Sequence, residues 1–299
     1  MPDKITKFLA YNKKVTVMCI DSTNLVEEIR KIHNLTPTTT AVLGRVATVC
    51  TLMSFIDLKD LTDNLTIQIK GNGPIGTIIA ICDLENLKKA SIKICADNPH
   101  LELPLKQNGK IDVAGAVGKS GFINIIRENE LTNGKYNGVS PLVTGEIAED
   151  FTEYFAKSKQ QPTVLALGVL VDKNGVKRAG GYIINLMPDA TEQEITKIEK
   201  AISQVKPISE LLDEGLSLEQ IAKLITGDES IEIIEDDLDV EFKCTCNKDR
   251  IERGIISLGK EEIQKIIDED GKLEAECHFC HRKYVFSKNE LEVLKKKTK

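Results

Sequence analysis

Apolar residues gather in short runs rich in Val, Ile and Thr at 14–20, 65–70, 76–82, 90–95 and 122–127. These stretches predict strands. Between the first two, residues 22–32 follow a helical period, with Leu25, Val26, Ile29 and Ile32 on one face. The most apolar window, 41–56, contains Gly44 and Arg45. It is too short and too polar to span a bilayer and predicts a buried helix. Two further strand runs, 164–171 and 176–186, flank Asp172-Lys173-Asn174-Gly175, whose Asn-Gly predicts a type I′ hairpin turn. Strands interrupted by helices, with a tight hairpin among them, give an α+β fold with a mixed or antiparallel sheet.

After residue 188 the pattern changes. Thr191 and Glu194 form a capping box ahead of Ile195, Ile198, Ile202 and Val205 at helical spacing. Pro207 interrupts, Gly215 ends a short helix, and Ser217 with Gln220 caps another. The apolar stripes are narrow, so these helices are expected to pack on a neighbour rather than stand alone. Residues 228–241 carry eight carboxylates and neither Lys nor Arg, which predicts a mobile linker. From Phe242 onward come four cysteines, with a helix at 260–268 between the two pairs. The expected organisation is therefore an α+β domain at 1–188, a helical and acidic linker at 189–241, and a small C-terminal zinc-binding domain at 242–299.

Hydrophobic residues at 41% and charged residues at 29% fit a soluble globular protein. Aromatics are scarce at 4% and Trp is absent, so Ile, Leu and Val must build the core. The sequence opens without an apolar leader, which points to the cytoplasm, with no membrane association expected. In that reducing compartment the eight cysteines are not read as four standing disulfides. Cys19, Cys50, Cys82 and Cys95 sit singly in apolar runs, as packing cysteines do.

The remaining four, Cys244-Thr245-Cys246 and Cys277-His278-Phe279-Cys280, offer the soft thiolates of a tetrahedral Zn²⁺ site. Four cysteines fill the shell, so His278 and His281 are left out of it. A purely structural metal is one reading. The other is a redox switch, because four thiolates on one Zn²⁺ leave electron-rich sulfur open to oxidants. Oxidation would join near neighbours as disulfides and expel the metal together with the folding energy it supplies. Spacing alone favours the structural role.

Other chemistries find less support. Gly71-Asn72-Gly73-Pro74-Ile75-Gly76 matches G-x-G-x-x-G, but Pro74 and the β-pattern that follows replace the helix a dinucleotide site requires. The glycines read as a strand connection, and no nucleotide cofactor is expected. From Phe242 to the end, 14 basic residues stand against 11 acidic ones, and Lys295, Lys296, Lys297 and Lys299 read as a solvated tail rather than a nucleic-acid surface. The net charge of −6 agrees. His33 and His100 read as surface residues without a nucleophile nearby. Cys277 and Cys280 do not open a helix in a βαβ unit, as a thioredoxin-type motif would. No catalytic residue is assigned and the chain is not read as an enzyme.

Taken together, Gly44-Arg45, the 71–76 glycine segment, Tyr136-Asn137-Gly138, Gly145-Glu146-Ile147-Ala148-Glu149-Asp150, Tyr154-Phe155, Gln161-Pro162-Thr163, Gly180-Gly181-Tyr182 and the two cysteine pairs resemble the redox-regulated 33-kilodalton heat-shock chaperones of bacteria. The resemblance implies an ATP-independent holdase that binds unfolding proteins under oxidative stress. It implies one Zn²⁺ on Cys244, Cys246, Cys277 and Cys280 in a reduced, inactive form. It further implies disulfides Cys244 with Cys246 and Cys277 with Cys280 in an active form, loss of order in 189–241, and a homodimer made through the N-terminal domain. The alternatives are a zinc module that binds nucleic acid and a thiol–disulfide oxidoreductase.

Overall fold

Each of the five short Val-, Ile- and Thr-rich runs falls on a strand in the structure, a computed structural model that describes residues 3–129, 131–132 and 134–298. The chain divides into two units, Met1–Phe242 and Lys243–Lys299. The first begins with strands β1 (Lys4–Ala10) and β2 (Val15–Asp21) and helices α1 (Thr23–His33) and α2 (Pro37–Asp57). Strands β3 (Asp63–Gly71), β4 (Thr77–Asn86) and β5 (Lys89–Ala96) follow, then helix α3 (Val113–Val117), β6 (Gly121–Asn129) and β7 (Lys135–Pro141). Helix α4 (Ala148–Ser158) leads to the hairpin β8 (Thr163–Asp172) and β9 (Gly175–Leu186). Helices α5 (Glu192–Gln204), α6 (Ile208–Asp213) and α7 (Leu218–Thr226) and strand β10 (Glu232–Phe242) complete it.

All ten strands share one sheet, in the order β7-β6-β3-β4-β5-β10-β1-β2-β9-β8. Its described pairings are antiparallel except β10 with β5. Alternation decides which side chain meets which layer. On β2, Met18 and Ile20 point into the larger core with α1 to α4, while Val15, Val17 and Cys19 point into a second core under α5, α6 and α7. Strand β9 divides likewise, Ile183 to one side and Tyr182 and Ile184 to the other. Strands covered on both faces are apolar on both. On β3 only Leu65, Ile67 and Ile69 are buried, and the alternate positions, Thr66, Gln68 and Lys70, are polar.

Helix α2 is longer than the apolar window that announced it. By length and composition it could cross a membrane, yet its apolar window is 83% buried within the protein. Its polar side chains are silenced by bonding back to the helix, Thr48 Oγ1 to Gly44 O at 2.7 Å and Thr51 Oγ1 to Ala47 O at 2.9 Å. A Cβ on Gly44 would lie 2.7 Å from Val26 Cγ1 and 2.9 Å from Val169 Cγ2, so a glycine lets α1 and β8 close on this helix.

Four expectations are corrected. The acidic run is no mobile linker: from Glu232 it is strand β10. Leu238 and Val240 are buried in the larger core and Phe242 packs against it, a period of two hidden inside a charge run. Lys7, Lys88 and Lys89 pair with Glu235 (3.9 Å), Asp237 and Glu241 (2.5 Å), which relieves the self-repulsion. The β8–β9 turn is centred on Lys173-Asn174 and closed by Asp172 and Gly175. Only Gly175 (φ +131°) of these four is at positive φ, so the turn is not type I′. His33 is buried, with its ring edge-on to Phe242 at 6.4 Å. Cys95, unlike Cys19, Cys50 and Cys82, is only half-buried.

The 71–76 glycines do form a strand connection, between β3 and β4. A Cβ on Gly73 would lie 2.3 Å from Ala116 O, and Gly73 N donates to Val117 O at 2.9 Å. The glycine admits a neighbouring backbone.

Candidate metal centre

The second unit holds helices α8 (Lys248–Ser257) and α9 (Lys260–Glu269), the hairpin β11 (Lys272–Glu276) and β12 (Lys283–Ser287), and helix α10 (Lys288–Lys297). Lys295, Lys296 and Lys297, expected as a solvated tail, form the last turn of α10, and Lys299 lies outside the described residues. The unit's buried apolar core is Ile255, Ile263, Ile267, Phe286, Leu291 and Leu294. That is little for a segment of this length, which needs a further source of stability.

Cys277 and Cys280 sit in the β11–β12 turn. Cys277 N donates to Arg282 O at 3.0 Å and His281 N to Cys277 O at 2.8 Å. His281 adopts φ +57° to close the knuckle. Cys244 and Cys246 immediately precede α8, whose N-cap Asn247 accepts from Arg250 N at 2.9 Å. These two local structures bring the four sulfurs together, all within 4.8 Å of one another. Cys244 Sγ lies 3.7 Å from Cys277 Sγ, and Cys246 Sγ lies 3.4 Å from Cys280 Sγ.

A tetrahedral metal with bonds of about 2.3 Å sets its sulfurs about 3.8 Å apart, whereas a disulfide needs about 2.0 Å. The observed separations fit ligation by thiols that are not bonded to one another. The donor set, four soft sulfurs and no oxygen, can hold a metal ion and is consistent with zinc. His281 is engaged elsewhere, with Nδ1 2.6 Å from Glu276 Oε1.

The sulfurs are not equivalent. Burial pushes the Cys244 and Cys280 thiols up. At Cys246 burial acts in the same direction, but the Tyr284 hydroxyl and the other three thiols outweigh it and bring the group down to about 7. Tyr284 Oη donates to Cys246 Sγ at 3.1 Å. This is a contact to the cysteine cluster that the cysteine spacing does not reveal. The signal was the alternation of β12, where Tyr284 shares a face with the core residue Phe286.

Residues 3–287 match the family model described as Hsp33 protein. A 33 kDa chaperonin of Bacillus licheniformis is 41% identical over 98% of this chain and 99% of its own length. One from Clostridioides difficile is 42% identical over 99% of each. Among solved structures, the crystal structure of the 33 kDa chaperonin (heat shock protein 33 homolog) from Thermotoga maritima superposes with a TM-score of 0.88. It is 33% identical and covers 99% of this chain and 98% of that one.

Proposed function

The chain belongs to the Hsp33 family, which supports a chaperone role, and from that premise we propose that it is an ATP-independent holdase switched on by oxidation. The observation that carries the switch is the gathering of Cys244, Cys246, Cys277 and Cys280 within 4.8 Å at a unit with a small core. Bound Zn²⁺ would hold four thiolates together and supply folding energy. Each cysteine pair gives two electrons to one peroxide, which is reduced to water as an S–S bond forms. With the pairing that the resemblance implies, these bonds are Cys244 with Cys246 and Cys277 with Cys280. The sulfurs then no longer serve as metal ligands.

The segment that responds is 189–241, between a chaperone and dimerisation domain at 1–188 and the switch domain at 242–299. Helices α5, α6 and α7 bury Ile198, Ile208, Leu211, Leu212, Leu218, Ile221 and Ile225 against Phe8, Val17 and Tyr182 of the sheet. Their release would bare that apolar face to unfolding client proteins. In this reading the protein works in the cytoplasm, and its active form is a homodimer.

The test is suppression of thermal aggregation of a client by the zinc-loaded protein with and without peroxide, with zinc release and free thiols followed in the same sample. Protection that appears only as zinc leaves is the expected result. Equal protection by the reduced, zinc-loaded protein would refute the switch. Salt-dependent nucleic-acid binding or catalytic insulin reduction would transfer the assignment to one of the alternatives.

A further inference from the structure

Strand β10 is the joint of the sheet. On one side of it lie β7-β6-β3-β4-β5, and on the other β1-β2-β9-β8. Its two pairings run end to end rather than side by side. Leu238, Glu235, Ile233 and Glu232 partner Ile5, Lys7, Phe8 and Leu9 of β1, with register shifts on both sides of Lys7. Asp239, Val240, Glu241 and Phe242 partner Lys89, Ala90, Ser91 and Ile92 of β5 in parallel. A broken antiparallel ladder and a short parallel one are the weaker forms of pairing. Cys244 follows two residues after Phe242, so the end of β10 runs directly into the first cysteine pair.

Removing this strand would leave specific vacancies. The backbone N–H and C=O groups that β1 and β5 direct at β10 would lose their partners, and such groups demand new ones. Apolar sites filled by Leu238, Val240 and Phe242 would open on the larger core. Lys7 and Lys88 would lose Glu235 and Asp237, and Lys89 would lose Glu241 and keep Glu85 at 3.8 Å.

We propose that the position of β10 is a client-binding slot, which takes an extended segment of an unfolding protein that is apolar at alternate residues and acidic between them. The main-chain ladder supplies affinity without sequence, the core-facing positions select alternation, and the lysines select charge. A folded surface cannot enter a gap left by one strand. The slot rests on the reading that oxidation loosens residues 189–241.

The probe is a fluorescent peptide with the sequence of residues 232–242, EIIEDDLDVEF. It is added to the full-length protein, either reduced and zinc-loaded or oxidised and zinc-free, with amide exchange of β10 recorded on the same samples. Saturable one-to-one binding to the oxidised form alone is expected, with β10 amides deprotected. A peptide with serine at the three core-facing positions should bind about tenfold or more weakly. The Lys88→Glu/Lys89→Glu protein, altered only at ion-paired side chains, should lose about tenfold. The original peptide should also compete with a client for the oxidised protein.

Client protection with β10 still protected from exchange would overturn the slot and leave the switch standing. No client protection after oxidation would overturn both. A dimer that the peptide dissolves would hand the slot to a second copy's β10 and overturn the client assignment.

Discussion

The two units hold themselves together by different means. In the first, α2 lies in a core that extends from β1 to β10, with side chains such as Val42, Leu43, Val46, Val49 and Leu52 completely buried. In the second, six buried apolar side chains serve three helices and a hairpin. One unit carries its stability in packed area, and the other, in the function proposed above, would draw it from a metal held by four sulfur atoms. The difference teaches where a chemical signal can act: a fold dispersed over dozens of contacts is deaf to the oxidation of a few atoms, and a fold hung on one centre is not.

Metal removal is the sharpest way to break this comparison. Structural zinc contributes on the order of 10 kcal/mol in small modules, more than the core of the second unit is expected to supply. Treating the reduced protein with a strong chelator should bring the amides of α8, α9, α10 and the β11–β12 hairpin to the exchange rates of an unfolded chain. The amides of α2 should keep their protection. Helical protection in 248–297 that survives metal loss would show the small core to be self-sufficient.

Cavity mutations apply a similar insult to each side. Leu52→Ala in α2 is expected to cost about 2–5 kcal/mol and Phe286→Ala in β12 about 3–5 kcal/mol. The consequences should differ more than the costs. A domain the size of the first unit loses about 2–4 °C per kcal/mol and one the size of the second about 4–8 °C. Calorimetry should therefore show a shifted but cooperative transition for Leu52→Ala. For Phe286→Ala it should show a lost or far lower second transition, with weaker zinc retention. Equal shifts would erase the distinction.

What the sequence revealed follows the same division. The strands at 14–20, 65–70, 76–82, 90–95 and 122–127 were legible because one or both faces are buried, and burial writes itself as alternation on one face or as a continuous apolar run on both. The four cysteines were legible because ligand number and softness need no tertiary context. Strand β10 was not, since its carboxylates are balanced by Lys7, Lys88 and Lys89 from distant parts of the chain. Helix α4 was missed although its buried residues Phe151, Tyr154 and Phe155 stand at helical spacing. Its start is fixed by Asp150, whose side chain accepts from the amides of Val143, Thr144, Gly145 and Ile147, a ring of bonds with no periodic signature. The burial of His33 against Phe242 depends on contact across more than two hundred residues. Ligand chemistry was readable, whereas long-range compensation in β10 and at His33 was not, and neither was the local cap of α4.

The smallest effect concerns the thiols themselves and separates the regions by reactivity rather than stability. Cys19 and Cys50 are completely buried in the first unit, and burial pushes both thiols far above their ordinary range. They should therefore stay unmodified while peroxide consumes the C-terminal cysteines. At Cys246 the Tyr284 hydroxyl opposes burial and helps hold the group near 7. A hydroxyl that donates to the sulfur stabilises the thiolate and draws electron density from it. Tyr284→Phe removes that bond, worth about 0.5–1.5 kcal/mol, and leaves the ring in place. The metal-free Cys246 thiol should titrate at higher pH, because the charged form has lost a donor. In the zinc-loaded protein the sulfur should become the better nucleophile, so peroxide-driven zinc release should accelerate about two- to fivefold. Stopped-flow zinc release and the pH profile of alkylation of the chelated protein read these two consequences separately. An unchanged pH profile with unchanged release would show that the Tyr284 contact packs the hairpin without tuning the sulfur.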